Sequence, residues 1–104
     1  MDNEVYQNGY EFKTTFWRDF TIADAYGIEA VEDTFKRAFK EWKDNYIYLT
    51  ELVLVLNWKI WQHWEKNGYC DIAETYNRLW IEAQNYGYAT LKGDELDYFI
   101  RTLD

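Results

Sequence analysis

Residues 46–66 read YIYLTELVLVLNWKIWQHWEK, and this stretch decides the fold. It is the most apolar run in the chain, and it has helical length. On a helical wheel Tyr46, Leu49, Val53, Leu56, Ile60 and Trp64 form one stripe. Ile47, Leu54, Trp58 and Trp61 form a second, while Leu52 and Val55 widen the first. Only a narrow strip around Glu51, Lys59, Gln62 and Lys66 reads as wet. A helix that is apolar over most of its circumference is buried by neighbours on several sides. At 1.5 Å per residue it spans ~30 Å, about the diameter of a small domain. The stretch predicts a central buried helix over about 46–67, with the other segments packed around it.

The flanking sequence supplies those neighbours. A first helix is expected over about Thr14 to Tyr26, with Phe16, Phe20 and Ala23 on one face and Trp17 beside it. Thr14 or Thr15 is its cap. Thr21-x-x-Asp24 offers a second capping box, and with it a break near Thr21. The second helix runs from about Ile28 to Asp44, where Ile28, Val31, Phe35, Ala38, Phe39 and Trp42 follow the helical period. Its other face is charged, with Glu32/Lys36 and Asp33/Arg37 in the favourable i,i+4 order. Asn45 starts the central helix and Gly68 ends it. A fourth begins at Asp71, with Glu74 reaching back to complete a cap. Ile72, Tyr76, Leu79, Trp80 and Ala83 face inward, and the helix ends near Tyr86 or continues through Gly87 to Thr90. A short final helix starts at Asp94, with Leu96, Phe99, Ile100 and Leu103 as its apolar side.

There is no proline, and strictly alternating β-branched runs are missing. The five glycines fall mainly at segment boundaries, Gly27, Gly68, Gly87 and Gly93 among them. The expected fold class is therefore all-α: one compact bundle of four to five helices in a single domain, 1–104. Residues 1–12, polar with isolated Tyr6, Tyr10 and Phe12, are expected to form an irregular arm. Short connections favour antiparallel neighbours, which is the bundle geometry.

Composition bounds function. The chain has 104 residues, 21% aromatic, and a net charge of −8 from 19 acidic and 11 basic residues. Phosphate contacts need clustered Lys and Arg, so direct nucleic-acid binding is disfavoured. An acidic surface suits solubility, and it also suits a partner with a basic cleft. One cysteine, Cys70, excludes an internal disulfide, and a reducing cytoplasm is expected. The N-terminus MDNEVYQNGYEF lacks the apolar centre of a signal peptide. Leu52–Leu56 is too short to span a membrane.

Catalytic and metal motifs are weak. His63 and Cys70 stand alone, without a ligand set or a third group to orient a nucleophile pair. A half-buried histidine and a small apolar cysteine are the simpler readings. No Glu-x-x-His, HExxH or glycine-rich phosphate loop is present, so no enzyme activity, cofactor or metal is expected. Ile22–Phe39 has the turn chemistry of a helix-turn-helix. Its second helix opens with Glu29, Glu32 and Asp33, which would repel phosphates. Thr50 and Asn57 point to the apolar side of the central helix, either as register-fixing polar contacts or as part of a pocket of Asn57, Trp61 and Trp64. Trp58, Trp61 and Trp64 drift around the helix at i, i+3, i+6. Some are therefore core, and one, Trp58, is the candidate for exposure and partner contact.

FWRDFTIADAYGIEAVEDTFKRAFKEWK, YLTELVLVLNWKIWQHWE and the ending LKGDELDYFIRTLD together resemble a family of small acidic proteins. These are encoded by phages and prophages of gut Firmicutes and form a domain of unknown function. The resemblance covers about Phe16 to Asp104, implies no catalytic residues, and implies a phage-accessory role in the cytoplasm of a bacterial host. The expected function is a non-enzymatic, protein-binding inhibitor of a host protein. It is of the anti-CRISPR or other anti-defence kind and acts on a nucleic-acid enzyme with a basic groove. The candidate contacts are Asp94, Glu95 and Asp97 near the C-terminus, then Glu29, Glu32 and Asp33 on the second helix, where neighbouring bases count against mimicry of phosphate charge. The alternative is a structural or assembly protein that forms a homo-oligomer through surplus surface aromatics.

Overall fold

The computed structural model describes residues 15–104; the arm expected at 1–12 lies outside the described residues. Helix α1 covers 15–24. It is followed by α2 (Ile28–Trp42), α3 (Tyr46–Asn67), α4 (Asp71–Thr90) and α5 (Gly93–Leu103). Among the described residues there is no strand. The all-α bundle is as expected, and α3 is its centre. The long α3–α4 pair forms the spine, α2 packs across both, and α5 closes α3 and the end of α4. Phe16, Phe20, Val31, Phe35, Leu49, Leu52, Val53, Leu56, Tyr76, Leu79 and Phe99 build one continuous core. No described helix is long and apolar enough to cross a membrane.

Local chemistry explains the central helix's limits. The Asn45 side chain accepts from the backbone N–H of Ile47 (3.1 Å) and of Tyr48 (3.3 Å), satisfying two donors that the first turn leaves free. At the other end Gly68 takes φ 72°, a left-handed conformation that favours glycine, while its N–H bonds the Trp64 carbonyl.

Three local expectations are corrected. Helix α1 runs unbroken through Thr21 to residue 24, because the side chains of Thr21 and Asp24 bind Lys59 of α3 instead of capping a new helix. Helix α4 starts one residue earlier than a cap at Asp71 would place it. Cys70 holds the cap position and makes no side-chain cap bond. Gly87, counted among the segment boundaries, is interior, and of the two ends left open for α4 the later one holds: the helix continues through Gly87 to Thr90. A Cβ on Gly87 would lie 2.4 Å from the Phe99 ring, so the missing side chain is what lets α5 close on α4.

The main stripe of α3 is buried as expected, with Leu49, Leu52, Val53, Val55 and Leu56 at its centre, but its wet side is displaced. Glu51 and Lys59, read as part of the wet strip, are buried, whereas Trp58, Trp61 and Trp64 stand exposed together. An almost uniformly apolar helix carries too little asymmetry to fix which side stays wet. The partners fix it.

Candidate functional site: a buried polar cluster and the exposed surfaces

The densest polar arrangement lies where α1 crosses α3 and α4. Lys59 has no exposed surface. Its ammonium donates to Asp24 Oδ2 (2.8 Å), Thr21 Oγ1 (2.8 Å) and Gln62 Oε1 (3.0 Å). Those three acceptors match the three hydrogens of an ammonium group. The Trp17 ring lies 4.3 Å from the same nitrogen, a cation–π contact. A lone buried charge is costly, and here it is paired and hydrogen-bonded on every side.

Asp24 is the hub. Its Oδ2 also accepts from His63 Nε2 at 3.0 Å, and its Oδ1 accepts from the Tyr76 hydroxyl at 2.5 Å. A carboxylate oxygen only accepts, so the proton of that histidine bond sits on Nε2. The His63 and Tyr76 rings stack at 5.5 Å, and Phe20 meets Tyr76 edge-on at 5.7 Å. Burial, then the bond to Asp24, pushes the Tyr76 hydroxyl far above the ordinary tyrosine range. The Lys59 ammonium, His63 Nε2 and the Tyr76 hydroxyl all donate to internal acceptors. The arrangement therefore pins α1 to α3 and α4 by bonds that a shift of α1 by one turn would break.

The expected contact residues occupy two separate regions. Asp94 and Glu95 lie in the first turn of α5, and Asp97 follows; all three are exposed. Among the described residues none of the three makes an ion pair, whereas Glu32 is bound by Arg78 of α4. Glu29 and Asp33 are exposed on α2. Helices α2 and α5 share no contact, so the two acidic sets do not form one surface. Trp58 is exposed as expected and meets Trp17 edge-on. Trp61 (57% exposed), Trp64 and Tyr69 extend the aromatic face beyond it. His63 is half-buried and bonded to Asp24, and Thr50 donates to the Tyr46 carbonyl at 2.7 Å within α3.

Tyrosines mark other joints. Tyr86 donates to Asp44 at 2.8 Å, tying α4 to the α2–α3 connection, and that bond raises the Tyr86 hydroxyl. Burial, then the nearby Glu51 carboxylate, raises that of Tyr98.

Sequence reasoning missed Lys59, Asp24 and Tyr76. One signal was present: a single lysine in the middle of a helix apolar on nearly all sides. Gln62 lies three residues on, but the two acceptors that tie Lys59 to α1 are 35 and 38 residues away, beyond any local spacing. No protein-family model, curated protein or solved structure matches the chain.

Proposed function

We propose that this chain is a non-catalytic, protein-binding module of the phage-accessory kind. It acts as an anti-CRISPR or other anti-defence inhibitor that lays acidic side chains on the basic groove of a host nucleic-acid enzyme. The observation that carries this reading is the exposed run Asp94, Glu95 and Asp97 on α5, which makes no ion pair among the described residues. Carboxylates without countercharges keep their field for a partner, and opposite charge on that partner speeds encounter and fixes register. On α2 the Arg78–Glu32 pair consumes part of the charge, so α5 is the preferred contact.

The test is a pull-down from lysate of a bacterial host at low and high salt, with the native chain beside Asp94→Asn/Glu95→Gln/Asp97→Asn. A nucleic-acid enzyme held at low salt, released at high salt and lost with the triple variant supports the proposal. Undiminished capture by the triple variant overturns the assignment to α5.

The second reading is self-association through the aromatic face. Its supporting observation is that Trp58, Trp61, Trp64 and Tyr69 are all exposed on or beside one end of α3. Sedimentation over a wide concentration range separates the two, since a strict monomer excludes assembly.

A further inference from the structure

Helices α1 and α2 leave an open groove between them. The middle of its floor carries small side chains, with Ala23 and Thr34 buried and Ala30 and Ala38 half-buried, while Phe16 and Trp42 line its far end. Ile22, 54% exposed, and Tyr26, 78% exposed, project beside it. The lining residues recur at helical spacing on both helices, so the groove follows both axes. From Thr15 to Ala23 on α1 and from Ala30 to Trp42 on α2 it is two to three turns long, ~12–18 Å. Small residues on the floor let another backbone approach closely, which is what a third helix in such a seam requires.

The rim specifies the charge of that helix. Asp19, Asp33 and Glu41 are exposed along the groove against one base, Arg37. Asp33, Arg37 and Glu41 stand at successive i,i+4 positions, which leaves an acid at each end of the row. A second copy of this chain would bring the same three acids against themselves, in a chain of net charge −8. The chain's own first fourteen residues carry three acids and one lysine, again the wrong sign.

We infer that the α1–α2 groove is a docking site for a basic amphipathic helix of a partner protein. The partner's apolar face lies over Ala23, Ala30 and Ile22, and its lysines or arginines meet Asp19, Asp33 and Glu41. The site is separate from the α5 carboxylates and stands or falls independently of them.

The test uses the full chain and a fluorescein-labelled synthetic helix of about three turns, with leucine on one face and lysine on both flanks. The counter-probe has the same leucine face and glutamate flanks. Fluorescence anisotropy is expected to show saturable binding of the lysine probe, weakened by salt, and none of the glutamate probe. Ile22→Glu is expected to weaken binding by about tenfold or more, equivalent to ~1.4 kcal/mol. Because Ile22 is exposed, the variant keeps its fold, which circular dichroism checks. Ile81→Glu, exposed on α4, and Asp94→Asn/Glu95→Gln/Asp97→Asn are expected to bind as the native chain does. Absence of saturable binding, equal binding of the two probes, or indifference to Ile22→Glu overturns the proposal. So does a native dimer that Ile22→Glu dissociates, which assigns the groove to a second copy. Crosslinks from residue 22 into residues 1–14 would assign it to the chain's own N-terminal segment and overturn it equally.

Discussion

The Lys59 ammonium lies 2.8 Å from the Asp24 carboxylate, with Lys59 wholly buried and Asp24 17% exposed. The asymmetry matters. Asp24 has two further partners, His63 and Tyr76, and some access to water. Lys59 has no exposed surface and depends on its three acceptors and the Trp17 face.

Removing the charge of Asp24 is therefore expected to harm the fold more than removing that of Lys59. Asp24→Asn leaves a buried ammonium without its counter-ion, and such losses cost about 3–5 kcal/mol. Lys59→Met replaces the stem with an apolar chain of similar length and is expected to cost less. Urea unfolding of both variants and of the double variant checks this. A cost below ~1 kcal/mol for Asp24→Asn would mean that the pair is solvent-screened and holds nothing in place.

Tyr76 links stability to alkaline pH. In the folded chain its proton is held far above the ordinary tyrosine range by burial and by Asp24. In the unfolded chain it is released near pH ~10. Above that pH the folded state binds one more proton than the unfolded state. Its contribution is complete below pH ~10 and declines as pH rises further, by ~1.4 kcal/mol per pH unit. Tyr76→Phe is expected to be less stable at neutral pH, because it gives up a hydrogen bond to a charged acceptor worth about 1.5–3 kcal/mol. It is also expected to lose that alkaline slope. Unfolding curves at several pH values between neutrality and the alkaline range read both effects, and parallel slopes would exclude Tyr76 as their source.

Gly87→Ala is expected to destabilise although it is a glycine-to-alanine change inside a helix. The propensity gain is ~1 kcal/mol. Against it, the new methyl would meet the fully buried Phe99 ring, three of whose atoms lie within 2.8 Å of its position. Overpacking of this kind costs about 1–3 kcal/mol, and the ring has to move as a unit, so the net sign is unfavourable. Adding Phe99→Leu makes room and is expected to recover part of the loss. Thermal melts of the single and double variants decide it, and a stabilised single variant would show that α5 shifts freely.

Trp61→Gln and Trp64→Gln are expected to change stability by no more than ~0.5 kcal/mol, as exposed substitutions do. If the aromatic face mediates self-association, the same changes shift the sedimentation coefficient at high concentration. If it does not, native and variant chains sediment alike.

The amino-acid sequence by itself determined the helical class, the central position of α3 and most helix limits. Each of those is a local property. Asn45 and Gly68 are cap residues by their own chemistry, and Val31 and Phe35 fall on the buried face of α2 by periodicity alone. Among the described residues the i,i+4 pairs that spacing favours on α2 are not made: Glu32 pairs with Arg78 of α4, and Arg37 bonds Thr34 within its own helix. The tertiary structure decided the rest. The wet side of α3, and with it the burial of Glu51 and Lys59 and the exposure of Trp61 and Trp64, depends on where α1, α4 and α5 dock. The sequence left Gly87 open between a helix end and a helix interior, and only the approach of Phe99 gives the interior glycine its purpose. Thr21 and Asp24 had the spacing of a capping box, yet a lysine 35 residues beyond Asp24 claims both. A buried ammonium takes whichever acceptors the packed helices bring within reach, and that choice is written in three dimensions rather than in spacing along the chain.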